Sequence, residues 1–147
     1  MPSSESKPWK YLEERFGVKR KEITKYKIIE RSGDYWIVSK NFGTVENDLE
    51  IDTAGIRLLR KTGIGLKPTT YALQLLENQI KKNIVTLEKN ELLKLLKREK
   101  MIPRKLDEEG YVALKYKGGI IGCGMYKDNV VSSRIPKGRS KEFAEMI

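Results

Sequence analysis

Residues 61–67 combine cationic side chains with backbone groups that could hold a phosphate. Two glycines alternate with other residues in this stretch, KTGIGLK, and a lysine stands at each end. Closely spaced glycines expose backbone N–H groups, and a helix predicted to begin at Pro68 would direct its N-terminus toward an anion. Glycines at this spacing can also serve only to turn the chain. The candidate phosphate-binding residues are Lys61, Gly63, Gly65, Lys67 and Thr69.

A second cationic stretch lies near the end of the chain. It contains Arg134, Lys137 and Arg139. Arginine can hold a phosphate with two parallel hydrogen bonds or stack on a base, so these three residues are candidates for contact with an RNA backbone. The alternative is a tail whose charges are simply solvated.

The overall composition favours a polyanionic partner. The chain of 147 residues has 30 Lys+Arg against 20 Asp+Glu, a net charge of +10. Such a balance is typical of proteins that bind nucleic acid or anionic membranes. Residues 1–60 carry 12 basic and 10 acidic residues, whereas residues 61–147 carry 18 and 10. We therefore expect the later part of the chain to make the main electrostatic contacts.

Several kinds of site are excluded by the residues that the sequence lacks. There is no histidine and only one cysteine, Cys123. The usual zinc ligand sets and the Ser-His-Asp and Cys-His catalytic sites cannot be assembled, so we expect no metal and no cofactor. Cys123 stands between glycines in an apolar run, which favours a buried structural thiol. No long apolar segment or secretory leader is present, which predicts a cytoplasmic protein with no membrane partner.

Hydrophobic periodicity predicts two domains. Residues 1–48 are expected to form a small unit with a helix from Pro8 to Phe16 and a hairpin over 25–39, followed by a patternless boundary at 41–48. Residues 49–147 are expected to form the second domain. Its predicted elements are a strand at 56–59, a helix at 68–80, a strand at 83–87, a helix at 88–98 and three strands within 110–139. The lysines of the second helix are interpreted as a solvated face.

The three closing strands are predicted from turns at Gly118-Gly119 and at residues 127–129. Alternation from residue 111 to 117 predicts one face in the core and one face that presents lysines to solvent. Gly122 and Gly124 lie within the second of these strands, which indicates a bulge or the close approach of another backbone.

Three segments together resemble a known family. Gly55–Leu73, GIRLLRKTGIGLKPTTYAL, and Gly110–Arg139, GYVALKYKGGIIGCGMYKDNVVSSRIPKGR, are similar to the PUA-like RNA-binding domain at the C-terminus of RNA cytosine-5 methyltransferases of the Nol1/Nop2/Sun type. Lys7–Val18 resembles the small region that precedes this domain. The resemblance implies an α+β protein in which a small N-terminal helix-plus-hairpin unit is followed by a PUA-like mixed β pseudobarrel with two helices.

The departures from the family shape the expected function. Those enzymes carry a Rossmann-like S-adenosylmethionine domain and two motif cysteines, and this sequence has neither. The resemblance therefore implies a stand-alone, non-catalytic protein that binds structured RNA, tRNA or rRNA, in RNA modification or ribosome biogenesis. An RNA-modifying enzyme is a second candidate partner. Two alternatives remain open, namely a protein-interaction subunit of an RNA methyltransferase complex and a catalytic RNA-modification enzyme with an unrecognised site.

Overall fold

The chain forms two compact units, residues 1–82 and 83–147, termed unit 1 and unit 2. The computed structural model describes residues 6–40, 55–63, 65–97 and 101–135. The predicted boundary at 41–48 lies outside the described residues. The strands before and after it pair with each other, so the division between the units falls at Lys82 and Asn83 instead.

The described residues of unit 1 form an antiparallel sheet with strand order β1-β2-β3-β4, together with two α-helices and two short 3₁₀ turns. Its elements are α1 (Ser6–Phe16), a 3₁₀ turn (Arg20–Glu22), β1 (Tyr26–Arg31), β2 (Asp34–Ser39), β3 (Ile56–Thr62), β4 (Gly65–Pro68), α2 (Thr70–Leu75) and a second 3₁₀ turn (Glu77–Gln79). The predicted helix and hairpin are both present. The predicted loop at 61–67 is instead the tip of a β3–β4 hairpin, in which Thr62 lies opposite Gly65.

Local sequence accounts for the first helix. Trp9, Leu12 and Phe16 recur at helical spacing and are all buried. The helix stops where Gly17 adopts φ +72°, a left-handed conformation that glycine reaches at little cost. The helix therefore contributes one apolar stripe to the core of unit 1.

An irregularity between β2 and β3 decides which side chains share a face. The pairing shifts by one residue between Tyr35 and Trp36, and both Leu58 and Leu59 are fully buried. A bulge places two consecutive residues opposite one, so the two leucines share the buried face with Tyr35. The residues on either side of them, Arg57 and Arg60, then share the opposite face with Trp36.

Unit 2 is a five-stranded mixed sheet with strand order β5-β7-β8-β9-β6. Its elements are β5 (Ile84–Thr86), α3 (Lys89–Leu96), β6 (Met101–Pro103), β7 (Gly110–Tyr116), β8 (Gly119–Lys127) and β9 (Val130–Ser133). Only the β5–β7 pair is parallel. The α+β class with a pseudobarrel-like sheet is confirmed. Of the two helices predicted for this domain, the first is α2 and lies in unit 1.

Strand β7 differs from its predicted pattern. Val112, Ala113 and Leu114 are all fully buried, so the expectation of one solvent-facing side is wrong for this stretch. The strand lies between β5 and β8 inside the sheet and is covered on both faces. Only its last residues, beyond the register shift at Leu114/Lys115, follow the predicted exposure.

The glycines of β8 have the predicted role. A Cβ added at Gly124 would lie 2.9 Å from the backbone oxygen of Ser132 and 3.0 Å from Leu114 Cδ2. Glycine is required here because β9 and the core approach too closely for a side chain. The preceding turn is formed by Lys117 and Gly118, at φ +50° and +82°, one residue earlier than predicted.

Candidate RNA interface

The two predicted glycines lie at the tip of the β3–β4 hairpin. Gly65 has φ +126°, and Thr62 Oγ1 donates a hydrogen bond of 2.7 Å to its carbonyl. A Cβ at Gly63 would meet nothing within 4 Å, so the tip is open on that side. The glycines therefore turn the chain, which was the simpler of the two interpretations, and their role in phosphate binding stays a prediction.

Lys61 is held by the sheet. Its ammonium group forms an ion pair with Glu30, and this contact raises the pKa of Lys61 above its ordinary value. The ammonium also lies 4.9 Å from the ring centroid of Tyr35, and the backbone N–H donates 3.0 Å to Asp34 Oδ1. An ammonium group that is already paired with a carboxylate attracts a phosphate less strongly.

Thr69 serves as the N-cap of α2. Its hydroxyl accepts a hydrogen bond of 3.2 Å from the N–H of Ala72 and donates one of 2.6 Å to the carbonyl of Arg57. The helix begins at Thr70, two residues after the predicted start, because Pro68 ends β4 and Thr69 satisfies an otherwise unpaired N–H as the cap. Both hydrogen-bonding functions of the hydroxyl are occupied within the protein, and the proposed RNA contact of Thr69 stays a prediction.

Lys67 has a different environment from the other predicted residues of this segment. It lies directly opposite Arg60 in the β3–β4 ladder. Neither cationic side chain has an ion-pair partner among the described residues. Like charges at opposite positions of a sheet destabilise it by roughly 0.2–1 kcal/mol, so the sequence tolerates a repulsion that an anionic partner would relieve.

The same face carries further cations around a tryptophan. Two guanidinium groups lie close to the Trp36 ring, with Arg31 Cζ 4.0 Å and Arg57 Cζ 4.9 Å from its centroid. Asp34 forms an ion pair of 3.3 Å with Arg57 Nε. The residues of this surface, termed the basic face, are Lys27, Arg31, Trp36, Arg57, Arg60 and Lys67.

Sequence reasoning missed most of the basic face. The alternation in KYKIIER already places Lys27 and Arg31 on one side of a strand, and this signal was available. The β3 arginines could not be assigned, because strict alternation puts Arg57 and Arg60 on opposite faces. Only the bulge at Leu58 and Leu59 brings them together.

Arg134 lies just after β9 in unit 2. Its Nη1 donates 3.0 Å to Ser132 Oγ and 3.3 Å to the carbonyl of Ser133. Both bonds come from one arm of the guanidinium. The other two predicted tail residues, Lys137 and Arg139, lie outside the described residues.

The glycine segment and Arg134 belong to different units. The predicted convergence of Lys67 with the tail on one surface therefore stays a prediction. What the structure does bring together is Lys67 with the cations of its own sheet.

Unit 2 also contains a well-formed ion pair. Arg104 Nη1 and Nη2 contact Glu91 Oε2 and Oε1 at 2.7 and 2.9 Å, and Nη2 also donates to the carbonyl of Thr86. The bidentate contact lowers the pKa of Glu91 from 4.5 to about 2. Glu91 also closes the N-terminus of α3, where Glu88 is the cap. These charges connect β6, α3 and β5.

Cys123 is a buried thiol, as predicted. It is 1% exposed, and its Sγ lies 3.6 Å from the carbonyl oxygen of Gly124. The hydroxyl of Tyr111 is near this group, and burial raises its pKa. Among the described residues, no cluster of His, Cys, Asp or Glu could hold a metal ion.

One family model matches a segment of the chain that lies almost entirely in unit 2. Residues 82–140 match the family model described as the methyltransferase RsmF PUA domain. Unit 2 contains a PUA-like domain. The domain resembles the C-terminal domains of Sun-type RNA methyltransferases, as the segment Gly110–Arg139 had indicated. No curated protein matches the chain.

The match and the fold agree on where this domain begins. The matched residues start at 82, and unit 2 starts at Asn83. The PUA-like domain therefore includes all three predicted tail residues, whereas the segment Gly55–Leu73, which had been assigned to it from the sequence, lies in unit 1. None of the helices in the described part of the chain is long and apolar enough to span a membrane.

Proposed function

We propose that the protein binds structured RNA, tRNA or rRNA, and acts in RNA modification or ribosome biogenesis without catalysing methyl transfer itself. The observation that carries this proposal is the match of residues 82–140 to the PUA domain of an RNA methyltransferase family. Within such a family the PUA-like domain is the part that binds RNA, whereas methyl transfer requires a separate cofactor-binding domain. An RNA-modifying enzyme is the proposed protein partner, and the proposed location is the cytoplasm.

The charge distribution supports an RNA ligand. Both units are basic, and the Arg60–Lys67 pair in unit 1 places two cations opposite each other with no acidic partner among the described residues. RNA helices are recognised mainly through their shape, phosphates and 2′-hydroxyl groups. Cations that lack protein partners are suited to phosphate contacts of this kind.

The proposal assigns no catalytic role to Cys123. The thiol is buried, and no histidine exists anywhere in the sequence to activate it. A nucleophilic cysteine needs an accessible thiolate, which a buried thiol in apolar surroundings does not provide.

The test is a titration of the full chain against a folded tRNA and an rRNA fragment at several salt concentrations. Each phosphate contact releases counterions, so the logarithm of the affinity should fall linearly with the logarithm of the salt concentration. A matched assay with labelled S-adenosylmethionine and the same RNAs should give no methylated product. An affinity that does not change with salt, or a methylated base, would contradict the proposal.

A further inference from the structure

The strands of unit 1 carry most of their cationic residues on one face of the sheet. Strands β1 to β4 contain six lysines and arginines and two acidic residues, Glu30 and Asp34. The register places five of the six cations on the basic face, together with Trp36. The sixth, Lys61, lies on the opposite face, where it forms the ion pair with Glu30. Positive charge is therefore concentrated on one side of the sheet.

One row of charged residues crosses all four strands. Arg31 lies opposite Asp34 in β1 and β2, and Arg60 lies opposite Lys67 in β3 and β4. The β2–β3 register, extended by one position, brings Arg60 beside Asp34. Neighbouring strands are about 4.8 Å apart, so the row is about 14 Å long. Each strand of duplex DNA carries one phosphate for about every 3.4 Å of axis, so a row of this length can face several phosphates of a nucleic acid.

The carboxylate in this row does not cancel its positive charge. Asp34 Oδ1 accepts a hydrogen bond of 3.0 Å from the backbone N–H of Lys61, and Oδ2 lies 3.3 Å from Arg57 Nε. Both oxygens are therefore occupied by groups of β3. The Arg57 side chain remains 36% exposed. With five cations and one carboxylate, the basic face keeps an excess of positive charge.

The Trp36 ring holds two of the guanidinium groups. Arg31 Cζ and Arg57 Cζ lie 4.0 and 4.9 Å from the ring centroid, within the range at which an aromatic ring attracts a cation. The half-buried indole is itself fixed, because its Nε1 donates a hydrogen bond of 3.1 Å to the carbonyl of Arg31. A guanidinium group that is already held in place loses less conformational freedom when it binds a phosphate.

The composition of the basic face favours RNA over a protein as its partner. The central part of a protein–protein interface is depleted of charged residues, whereas interfaces with nucleic acids are strongly positive. Guanidinium groups can bind the oxygens of a phosphate with two parallel hydrogen bonds. The other unit of the same chain contains a PUA-like domain of an RNA methyltransferase family. An RNA backbone is therefore the partner that best matches this face.

We infer that the basic face of unit 1 is a second RNA-binding surface, on which the guanidinium groups held at the Trp36 ring and the cations of the Arg60–Lys67 pair bind phosphates of an RNA strand. The inference rests on the proposed function, since it takes RNA to be the ligand of the chain. It extends RNA binding to residues 27–67, which lie outside the family match.

The Trp36 indole N–H signal reports directly on the basic face. In ¹⁵N–¹H NMR spectra of the full chain, the two indole signals are assigned with the Trp36→Phe variant. A short RNA oligonucleotide and poly-glutamate of matched charge are titrated separately. We expect RNA to shift the Trp36 signal and to leave the signal of the buried Trp9 in place. Poly-glutamate should need an at least tenfold higher concentration to shift the Trp36 signal.

Two charge-matched variants test the arginines. Arg31→Gln combined with Arg60→Gln should weaken binding of a folded tRNA at least tenfold and lower the salt slope by about two, because two phosphate contacts are lost. The control combines Lys10→Gln with Lys19→Gln, which removes two exposed charges from the same unit and should change the affinity less than twofold. Circular dichroism checks that both variants are folded. If the first is unfolded, Arg60→Gln alone, at an exposed position, should still weaken binding several-fold.

The outcomes separate this inference from the proposed function. A Trp36 shift with RNA, together with a selective loss of affinity in the arginine variant, supports the inference. If the parent chain binds RNA but the Trp36 signal stays in place, or if the two double variants bind RNA equally well, the inference is wrong and the proposed function stands. If poly-glutamate shifts the Trp36 signal at the same concentration as RNA, the basic face binds any acidic chain and the inference is also wrong. A parent chain that binds no RNA would contradict both.

Discussion

Units 1 and 2 carry the same net charge but use their charged groups differently. Residues 1–82 contain 16 basic and 11 acidic residues, and residues 83–147 contain 14 and 9, so each unit has a net charge of +5. In unit 2 the best-formed contact among the described charges, Glu91–Arg104, connects three elements of the fold. In unit 1, Lys27, Arg60 and Lys67 of the basic face have no ion-pair partner among the described residues.

The unit that matches a known family is therefore not the unit with the like-charged pair. The family match covers unit 2 almost entirely and leaves unit 1 unassigned. Yet the like-charged pair Arg60–Lys67, which has no acidic partner in the part of the chain that the structure describes, lies in unit 1. The proposed RNA contacts therefore include residues of both units, and the following predictions test each side of the comparison.

The largest effect is expected in unit 2 from Gly124→Val. Its Cβ alone would lie within 3.0 Å of both the Ser132 backbone and the Leu114 side chain. The variant should lose about 3 kcal/mol of unfolding free energy, measured by urea denaturation, because neither a backbone nor a packed core can move aside cheaply. Gly63→Ala is the control and should change little, since a Cβ there meets nothing within 4 Å.

The same experiment shows whether the two units unfold together. Both tryptophans lie in unit 1, so tryptophan fluorescence reports on that unit while circular dichroism reports on both. If Gly124→Val shifts the fluorescence transition as well, the units are coupled in stability. A variant as stable as the parent protein would contradict the close approach of β8 and β9.

The next effect concerns the Glu91–Arg104 pair and its pH dependence. Glu91→Gln should cost about 2 kcal/mol at neutral pH, because Arg104 loses a charge-assisted contact in a partly buried position. The folded-state pKa of Glu91 is lowered from 4.5 to about 2, so its stabilisation is complete above pH 4.5 and declines as the pH falls toward 2.

Unfolding curves recorded between these pH values should therefore converge for the parent and the Glu91→Gln variant at the acidic end. Glu14→Gln is the matched control, since the Lys10–Glu14 pair is highly exposed, with a separation of 4.0 Å, and should contribute almost nothing. A constant difference between parent and variant across the whole range would show that Glu91 acts through packing and not through its charge.

Smaller effects are expected from Lys67→Gln on the basic face, where RNA affinity should fall and stability should rise. Lys67→Gln should weaken RNA binding several-fold and lower the salt slope by about one, because one phosphate contact is lost. In the absence of RNA the same variant should be more stable by a few tenths of a kcal/mol, since it removes the repulsion from Arg60. Lys97→Gln in unit 2 is the control and should change neither quantity.

The joint contribution of the predicted residues is tested by a triple variant, Lys67→Ala, Arg134→Ala and Arg139→Ala. It should weaken binding across many RNA sequences and flatten the salt slope. The comparison variant replaces Lys89, Lys94 and Lys97 with Ala. Equal losses from the two variants would show that only bulk charge matters.

The smallest effect on function is expected from Cys123→Ser. RNA affinity should remain within about twofold of the parent, because the thiol is buried away from the surface and has no catalytic role in the proposal. Stability should fall by about 1 kcal/mol, since the polar hydroxyl is less well accommodated in an apolar core. Loss of RNA binding by a variant that remains folded would contradict this assignment.

Much of the local structure followed from the sequence. The helix from Pro8 to Phe16 and the hairpin over 25–39 were both predicted, because each depends on residues that are neighbours along the chain. The close approach of another backbone at Gly124 was one of the two predicted roles of the β8 glycines, although the contact itself is made with Ser132 and Leu114. Strand β6 was missed, since three residues are too short to show a period.

The domain boundary and the site could not be derived in this way. The patternless stretch at 41–48 suggested a division, but β2 pairs with β3 across it and keeps both strands in one unit. Lys61 and Lys67 looked equivalent in the sequence, yet one is paired with Glu30 and the other lies opposite Arg60. Pairing between distant segments decides such contacts, and a single sequence does not encode it in any local pattern.

The sequence by itself determined the basic character of the protein, the absence of histidine chemistry and the resemblance of its closing strands to a PUA-like domain. These properties depend on composition and on local order along the chain. Only the tertiary structure decided that a bulge brings Arg57 and Arg60 to one face, and that Lys61 pairs with Glu30 whereas Lys67 lies opposite Arg60. The physical reason is that a shared face and such pairs are formed by backbone pairing and packing between segments far apart in the sequence.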